Sequence, residues 1–369
     1  MTQKVIIVGA GPIGCYAAQI LKSYGYDPLL IEEHSEVGRP LHCTGLVGQR
    51  IFQEKRPLNF KLPSASIKNI INGAIFHYDG EHFSVQRQKV AYVIDRERFD
   101  KELSRGLDIV YENKFLGLEK NNSGYVVETD KDEFRADVVV GADGANSTLR
   151  KILNPDTDNI SPYKGVQLRI KIKSRYKDFV EVYLRKPALL WIVPEAQDII
   201  RVGAISENPH CDLQNFLKET KIKGDILDRF GGVVVVGICA TTARDNIALV
   251  GDAACQMKPL TYGGLYFGLK AADILVECIK KGHITDYDRI WKKEFVSEIK
   301  IGLKIKQIYN RLEHKEFKEI FKLLKTQKSL IEKIGDFENH SRLFLEIIKK
   351  PSLYPQIGSF FSMLFKKII

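Results

Sequence analysis

Three features are missing from this 369-residue sequence. No apolar run approaches the roughly 20 residues that a membrane-spanning helix needs, which argues against an integral membrane protein. The eight histidines show no spacing typical of metal ligands, so no metal site is predicted. The six cysteines include no C-x-x-C pair and are scattered, which argues against a disulfide framework: Cys15, Cys43, Cys211, Cys239, Cys255 and Cys278.

These absences predict a reduced, cytoplasmic protein. We expect no signal peptide, because the apolar run Val5–Val8 leads into a glycine turn instead of a cleavage site. Hydrophobic residues make up 44% and charged residues 28% of the chain, which is typical of a globular protein. The length allows two or three domains. No internal repeat and no low-complexity segment is found.

The net charge is +10, and most of the excess lies near the C-terminus. Residues 281–369 hold 19 lysines and arginines against 11 aspartates and glutamates, a net of +8. The chain contains no recognised nucleic-acid motif, so no nucleic-acid partner is predicted. An anionic membrane surface would fit the positive charge, and so would a solvated helical face. The apolar tail Ile357–Ile369 is either an interfacial anchor or a segment packed on the body.

A glycine turn, Gly9–Gly14, follows the short apolar strand Val5–Val8. A helix is predicted from Cys15 to about Tyr24, then a second strand, Leu29–Ile31, and then Glu32. This order of strand, G-x-G-x-x-G turn, helix, strand and acidic residue is the dinucleotide-binding fingerprint. Glu32 would accept hydrogen bonds from the adenosine ribose.

Each glycine of the turn has its own physical role. Gly9 allows the tight turn, Gly11 lets the backbone approach a pyrophosphate, and Gly14 lets the helix pack close to the strand. The helix N-terminus then faces the phosphates with free N–H groups and a positive dipole. A second glycine turn, Gly251–Ala254, follows the apolar run Ile247–Val250. Two such turns, widely separated in the chain, favour a bound flavin over a diffusing nicotinamide.

Strand patterns fill the middle of the chain. Asp79-Gly80 predicts a hairpin turn, and residues 166–173 alternate between apolar and polar side chains as in a half-buried antiparallel strand. The predicted fold class is α/β (α+β overall), with a Rossmann-like FAD-binding domain, an inserted antiparallel β-sheet domain and a C-terminal helical region. The predicted boundaries are 1–66, 86–160 and 240–280 for the first, 67–85 and 161–239 for the second, and 281–369 for the third.

Four segments resemble the flavoprotein superfamily that includes para-hydroxybenzoate hydroxylase: Gly9–Gly14, Asp95–Asp100, Gly141–Arg150 and Gly251–Ala254. Three further segments are similar to the archaeal geranylgeranyl reductases: Gly38–Leu46, Leu190–Pro194 and Met257–Leu265. That family reduces isolated double bonds in the prenyl chains of membrane lipids. This chain departs from the family pattern at Leu189, where an aromatic residue is usual.

The resemblance implies an FAD site with named residues. The pyrophosphate would be held by Gly9, Gly11, Ile13 and Gly14. The remaining FAD contacts would come from Glu32 at the ribose, Arg96 at the phosphates or ribitol, Phe115 beside the adenine, Asp143, and Asp252 at the ribitol or pyrophosphate. The flavin ring would be lined by Cys43, Thr44 and Leu46 and would meet the backbone N–H groups of Gly264 and Leu265. Asp143 has a second interpretation, as the cap of a strand.

The implied substrate contacts are Trp191, Pro194 and Tyr262, although Trp191 and Tyr262 would also fit ordinary packing. Cys43 would either donate a proton to the alkene or shape the cavity. The resulting hypothesis is an FAD-dependent reductase of prenyl lipids. The alternatives are an FAD monooxygenase of an aromatic or isoprenoid substrate and a non-catalytic flavin- or lipid-binding protein. Because a second G-x-G-x-x-G fingerprint is absent, we expect the electron donor to be a reduced ferredoxin or a transiently docking NAD(P)H.

Overall fold

The computed structural model describes residues 3–122, 124–155, 160–186 and 188–348. The strands are β1 (Val5–Val8), β2 (Leu29–Ile31), β3 (Leu46–Gly48), β4 (Ile67–Tyr78), β5 (Glu81–Ile94), β6 (Asp108–Val110), β7 (Phe115–Asn121), β8 (Gly124–Thr129), β9 (Glu133–Ala136), β10 (Val138–Gly141), β11 (Ile160–Lys171), β12 (Phe179–Leu184), β13 (Leu189–Ala196), β14 (Ile199–Ser206), β15 (Asp225–Gly237), β16 (Ala243–Arg244) and β17 (Ile247–Leu249). The helices are α1 (Pro12–Ser23), α2 (Arg50–Gln53), α3 (Arg96–Ser104), α4 (Thr148–Leu153), α5 (Pro209–Thr220), α6 (Leu265–Lys280), α7 (Asp286–Arg311), α8 (His314–Thr326), α9 (Lys328–Ile334) and α10 (Ser341–Ile348).

The chain divides into two compact units, each built from separated segments. Unit 1 comprises residues 1–67, 94–163 and 231–299, and unit 2 comprises residues 68–93, 164–230 and 300–369. These boundaries differ from those of the three predicted regions. The prediction of a flavin domain, an inserted sheet domain and a separate basic helical region therefore stays a prediction.

Unit 1 is built on a six-stranded sheet with the order β16-β17-β10-β1-β2-β6. Strand β1 pairs in parallel with β10 on one side and with β2 on the other. All four residues of β1 and all four of β10 are buried, as expected for parallel strands that are covered on both faces. Helix α1 packs against α3 and α6. The predicted Rossmann-like α/β fold is confirmed.

A separate antiparallel sheet, β7-β8-β9, closes one side of the unit 1 core. Its residues Phe115, Tyr125 and Val127 are buried against the parallel strands, in a cluster that includes Ile6 and Val139. Phe115 does lie in a strand, as the sequence predicted, and its ring is part of this core. Its proposed contact with adenine stays a prediction.

Unit 2 contains a mainly antiparallel sheet in which the neighbours run β11-β14-β13-β12-β4-β5. Helix α5 covers one face, where Leu213 and Phe216 pack on the even-numbered residues Leu168, Leu190 and Val202. The predicted apolar face of β11 is therefore confirmed. On the opposite face Gln167 is only 4% exposed, although an alternating polar residue would ordinarily face water.

The hairpin between β4 and β5 turns at Asp79 and Gly80, as predicted. Both residues have positive φ, 48° and 75°, which is the geometry of the favoured two-residue hairpin turn. The strands are longer than the sequence indicated, since β5 continues to Ile94. Helix α1 also begins earlier than predicted, at Pro12 instead of Cys15, because proline is well suited to the first helical position.

The helices that follow residue 281 carry much of the positive charge, and part of it is paired within unit 2. Lys318 bonds Asp79, and Lys325 lies 3.5 Å from Glu81, so acidic residues of the β4–β5 hairpin partly neutralise α8. None of the helices in the described part of the chain combines the length and apolar composition that crossing a bilayer requires. The apolar tail Ile357–Ile369 lies outside the described residues.

Candidate active site

The first glycine turn joins β1 to α1 and is shaped by three different constraints. Gly9 has φ +99°, and a Cβ there would lie 2.4 Å from the carbonyl oxygen of Ala142. A Cβ on Gly14 would lie 2.1 Å from the carbonyl oxygen of Gly9. A Cβ on Gly11, in contrast, would meet no protein atom within 4 Å. The packing of the protein thus requires glycine at positions 9 and 14, whereas position 11 faces open space.

Glu32 joins the end of β2 to this turn. Its Oε2 accepts the Ala10 N–H at 2.8 Å, and its Oε1 accepts the His34 N–H at 3.0 Å. The His34 ring nitrogen Nδ1 also lies 2.7 Å from Oε1. The carboxylate is therefore fixed beside the glycine turn. Its hydrogen bond to a ribose stays a prediction.

The second glycine turn is a 3-10 turn, Gly251–Ala254, directly after β17. A Cβ on Gly264 would lie 2.7 Å from Oδ1 of Asp252, so the carboxylate lies against the backbone at the start of α6. Burial raises the pKa of Asp252, and the charges of Arg96 and Arg150 oppose that rise. No described side chain or backbone group donates a hydrogen bond to this carboxylate. It is an acceptor available to a ligand hydroxyl.

Arg96 links three parts of the candidate site. Its guanidinium makes two hydrogen bonds to the Asp100 carboxylate, at 3.2 and 2.9 Å, one turn along α3. Burial alone would lower the pKa of Arg96, but Asp100 and the side chain of Cys43 raise it above its usual value. The same guanidinium acts electrostatically on Asp252. The fold of unit 1 thus brings together Cys43, Arg96 and Asp252, which are far apart in the sequence.

The loop that carries Cys43 is anchored at several points within unit 1. Arg39 pairs with Glu97 at 2.7 Å, and His42 Nδ1 lies 2.7 Å from the Gly231 carbonyl oxygen. The Cys43 sulfur accepts the Gly45 N–H at 3.3 Å. The predicted flavin-lining residues of this loop are Cys43, Thr44 and Leu46, and the last of these begins β3. This anchoring fixes the position of the thiol beside Arg96.

Two of the predicted cofactor residues, Asp143 and Ile13, have structural contacts of their own, and a third, Leu265, begins a helix. The Asp143 carboxylate accepts the Ser147 hydroxyl at 2.6 Å and the Leu149 N–H at 3.2 Å, so it caps the start of α4. Burial raises the pKa of Asp143, while these bonds lower it. The Ile13 side chain lies against Gly251. Leu265 is the first residue of α6, where helix N–H groups are free to bind an electronegative ligand.

The sequence alone did not single out the residues that hold the Asp252 turn. Arg150 is 5% exposed and donates to the carbonyl oxygens of Asp252 and Ala253, both at 3.2 Å. Gln256 accepts the Gly251 N–H at 2.7 Å and donates to the Tyr287 hydroxyl at 2.7 Å. The one available signal was the position of Arg150 within the Gly141–Arg150 segment. Gln256 and Tyr287 could be recognised only from the fold.

Tyr262 lies in the loop before α6. It has φ +57°, a left-handed conformation unusual for a residue with a side chain, and its ring centroid lies 5.4 Å from that of Tyr163. Its predicted role as a substrate contact is not tested by this geometry. No three described His, Cys, Asp or Glu residues come together so as to hold a metal ion.

In unit 2, Trp191 lies flat across the neighbouring strand. It is paired with Gly203 on β14, where a Cβ would lie 2.3 Å from the indole ring. Its Nε1 donates to Oε1 of Gln167 on β11 at 2.9 Å, which explains why that polar side chain is buried. The Pro194 carbonyl oxygen accepts the Asn69 side-chain amide at 2.8 Å. The indole is thus held in one orientation.

The same face of the unit 2 sheet carries a buried ion triad. Glu195 accepts two hydrogen bonds from Arg169, at 2.8 and 2.7 Å, and one from Arg201 at 2.9 Å. Glu195 is 2% exposed and Arg201 is 6% exposed. Glu195 is thus the shared acceptor of the triad, and the Arg169 side chain is the most exposed of the three, at 32%.

The geometry of unit 1 fits a dinucleotide cofactor. Open space lies over Gly11 where a pyrophosphate would approach the backbone, and the Asp252 carboxylate lacks a donor among the described residues. A ligand that offers phosphates and hydroxyls would explain both features. Its phosphates would fill the space over Gly11, and a hydroxyl would donate a hydrogen bond to the Asp252 carboxylate. The residues present are therefore suited to FAD.

Comparison with known proteins gives the same assignment. Residues 6–152 match a model of the pyridine nucleotide-disulphide oxidoreductase family. An uncharacterised protein of Methanocaldococcus jannaschii is 31% identical over 94% of both chains. A digeranylgeranylglycerophospholipid reductase of Thermoplasma acidophilum is 27% identical over 80% of this chain and 84% of that protein. A reductase of the same name from M. jannaschii is 26% identical over 95% of this chain and 96% of that protein.

A solved structure with a similar fold is a geranylgeranyl bacteriochlorophyll reductase-like protein of Thermoplasma acidophilum. Its TM-score is 0.79 at 22% identity, and the match covers 97% of this chain and 98% of that one. The segment that matches the family model includes the first glycine turn. The chain belongs to the geranylgeranyl reductase-like family of FAD-dependent oxidoreductases.

Proposed function

We propose that the chain reduces isolated carbon–carbon double bonds in the geranylgeranyl or polyprenyl chains of membrane lipids or their precursors. The observation that carries the proposal is the cluster of Cys43, Arg96 and Asp252 beside the glycine turn. This cluster combines a thiol, a guanidinium and a carboxylate that would bind the cofactor. The names of the reductase relatives support the lipid substrate. Bound FAD, once reduced, supplies the hydride.

The residues of this chain would bind and orient the reacting groups. Gly11 and the N-terminus of α1 would hold the diphosphate, and Asp252 would accept a ribitol hydroxyl. The free N–H groups at Gly264 and Leu265 would stabilise negative charge on the reduced ring. Because an isolated alkene is a poor hydride acceptor, close alignment must contribute much of the rate.

Cys43 would deliver the proton that completes the reduction. Its sulfur is fixed by the Gly45 N–H and lies beside the Arg96 guanidinium. When the thiol donates its proton to the alkene carbon, negative charge remains on the sulfur. The Arg96 charge would compensate that negative charge. The substrate contact expected of Trp191 stays a prediction.

A mass measurement tests the reaction. The FAD-loaded protein, chemically reduced without oxygen, should add two hydrogens for each double bond of a geranylgeranyl lipid. Cys43→Ser should slow reduction about 10²- to 10⁴-fold, the usual contribution of a positioned proton donor. FAD content should not change. Cys211→Ser is the matched control, because Cys211 is exposed on α5.

The other outcomes separate the competing functions. Full turnover by Cys43→Ser would remove the thiol from proton delivery. Oxygen uptake coupled to NAD(P)H oxidation on addition of substrate would identify a monooxygenase instead of a reductase. Flavin that no prenyl lipid can reoxidise would favour a non-catalytic binding protein. Reduced ferredoxin and NAD(P)H, supplied in turn, would show which is the electron donor.

We also propose a cytoplasmic protein that contacts the inner face of the membrane through residues 281–369. The net charge of +8 in this region supports the proposal, because anionic lipids attract basic segments. The full chain is expected to sediment with anionic liposomes and to be released by salt. A chain truncated after Ser352 should bind less. Equal sedimentation of both chains would exclude the tail as the anchor.

A further inference from the structure

Two buried cysteines in unit 1 have no part in the proposed reaction. The sulfurs of Cys239 and Cys255 lie 3.6 Å apart, and the residues are 2% and 1% exposed. Cys239 lies in the segment between β15 and β16, and Cys255 follows the Gly251–Ala254 turn directly. The pair is therefore next to the turn that carries Asp252.

The surroundings distinguish the two thiols. The hydrogen bond with Cys255 lowers the pKa of Cys239, and the charges of Arg150 and Lys292 act in the same direction. The same hydrogen bond and burial raise the pKa of Cys255. Because Lys292 acts on Cys239, we assign the first attack to Cys239, and Cys255 is the thiol that resolves the bond formed there.

The geometry allows the two sulfurs to join. A disulfide needs a sulfur–sulfur distance of about 2.05 Å, so they must approach by roughly 1.5 Å. Neither cysteine lies within a helix or strand, and the side chains can move without breaking a sheet ladder. The N–H of Cys255 donates to the Asp252 carbonyl oxygen at 3.1 Å. A bond at Cys255 would therefore restrain the turn.

We propose that Cys239 and Cys255 form a redox-active dithiol, which a small organic disulfide converts into an intramolecular disulfide that restrains the Asp252 turn. The Cys239 thiolate attacks the oxidant R–S–S–R, forms a mixed disulfide and releases one R–S⁻. Cys255 then loses its proton, attacks the Cys239 sulfur and releases the second R–S⁻. The protein loses two electrons and two protons, and the oxidant is reduced to two thiols. The consequence for FAD rests on the proposed binding of FAD at the Asp252 turn. It does not depend on which lipid the protein reduces.

Oxidation of the FAD-loaded protein with dithiodipyridine tests the site. Because the pair is buried, the reaction is followed to completion, and a peptide map should then show Cys239 linked to Cys255. Cys239→Ala and Cys255→Ala should each abolish this linked peptide. Cys278→Ala is the matched control, since Cys278 is also buried, and it should retain the link. If the peptide map of the oxidised wild-type protein lacked the linked peptide, the proposal of a redox-active dithiol would be wrong.

The FAD release rate tests the consequence for the turn. Wild-type protein with the Cys239–Cys255 disulfide should release FAD several-fold more slowly than protein with both thiols reduced. The reason is that the disulfide restricts the segment that holds Asp252. Cys239→Ala should release FAD at one rate under both conditions. An unchanged rate in wild-type protein that has formed the link would overturn the restraint. Neither measurement uses a lipid, so the result is independent of the proposed reductase activity.

Discussion

Replacing Gly11 by alanine is expected to weaken FAD binding about 10- to 100-fold and to leave the fold intact. The added methyl group meets no protein atom within 4 Å, so the folded chain accommodates it. It would occupy the space that the diphosphate must enter. Inserting a methyl group into a close-packed contact costs about 1–3 kcal/mol, which corresponds to this change in affinity. Titration of the apoprotein with FAD measures the effect.

Gly14→Ala is the matched control for this prediction. Its methyl group would lie 2.1 Å from the Gly9 carbonyl oxygen, so it must distort the turn itself. Gly14→Ala should therefore lower the melting temperature of the apoprotein, whereas Gly11→Ala should not. If Gly11→Ala bound FAD as tightly as the wild-type protein, the diphosphate would not lie over this turn.

Glu195→Gln is expected to lower the free energy of unfolding by about 3–5 kcal/mol. The substitution removes the carboxylate that accepts hydrogen bonds from both Arg169 and Arg201, and removing one partner of a buried ion pair is costly. Urea denaturation followed by tryptophan fluorescence is a suitable measurement. Glu219→Gln is the control, because Glu219 forms an exposed pair with Arg185 in the same unit. That variant should lose no more than about 1 kcal/mol.

The stability difference at Glu195 should depend on pH. Burial raises the pKa of this carboxyl, but its hydrogen bonds and charge interactions with Arg169 and Arg201 lower it overall. A carboxyl with a lowered pKa stabilises the fold above its unfolded pKa of about 4.3. That contribution is lost as pH falls through the lower folded pKa. The difference in the free energy of unfolding between wild type and Glu195→Gln should therefore be largest at neutral pH and decrease in acid. A difference that did not change with pH would contradict the ion triad.

Features that depend on neighbours in the chain could be predicted from the sequence. The glycine turn, β1, β2 and Glu32 follow one another within a single βαβ unit, and local steric rules require that order. The alternating residues of β11 likewise indicated which face packs on α5. The hairpin at Asp79-Gly80 was predictable because few residue pairs adopt positive φ together.

Features that depend on distant segments could not be predicted in this way. Helix α5 and the long strand β15 lacked a clear local pattern, and the burial of Gln167 follows from Trp191 on another strand. The roles of Gln256 and Tyr287 depend on a hydrogen-bond chain that ends at Leu249. A single sequence does not indicate which distant residues will become partners, because each residue type is compatible with many environments.

The sequence by itself determined the cofactor class, since G-x-G-x-x-G with its strand, helix and Glu32 specifies a dinucleotide site through local backbone geometry. Only the tertiary structure decided which side chains meet. It placed Arg96 between Asp100 and Cys43 and within electrostatic reach of Asp252, and it brought Cys239 to 3.6 Å from Cys255. These contacts arise because the parallel sheet of unit 1 is assembled from three separated segments, so that their loops converge in space.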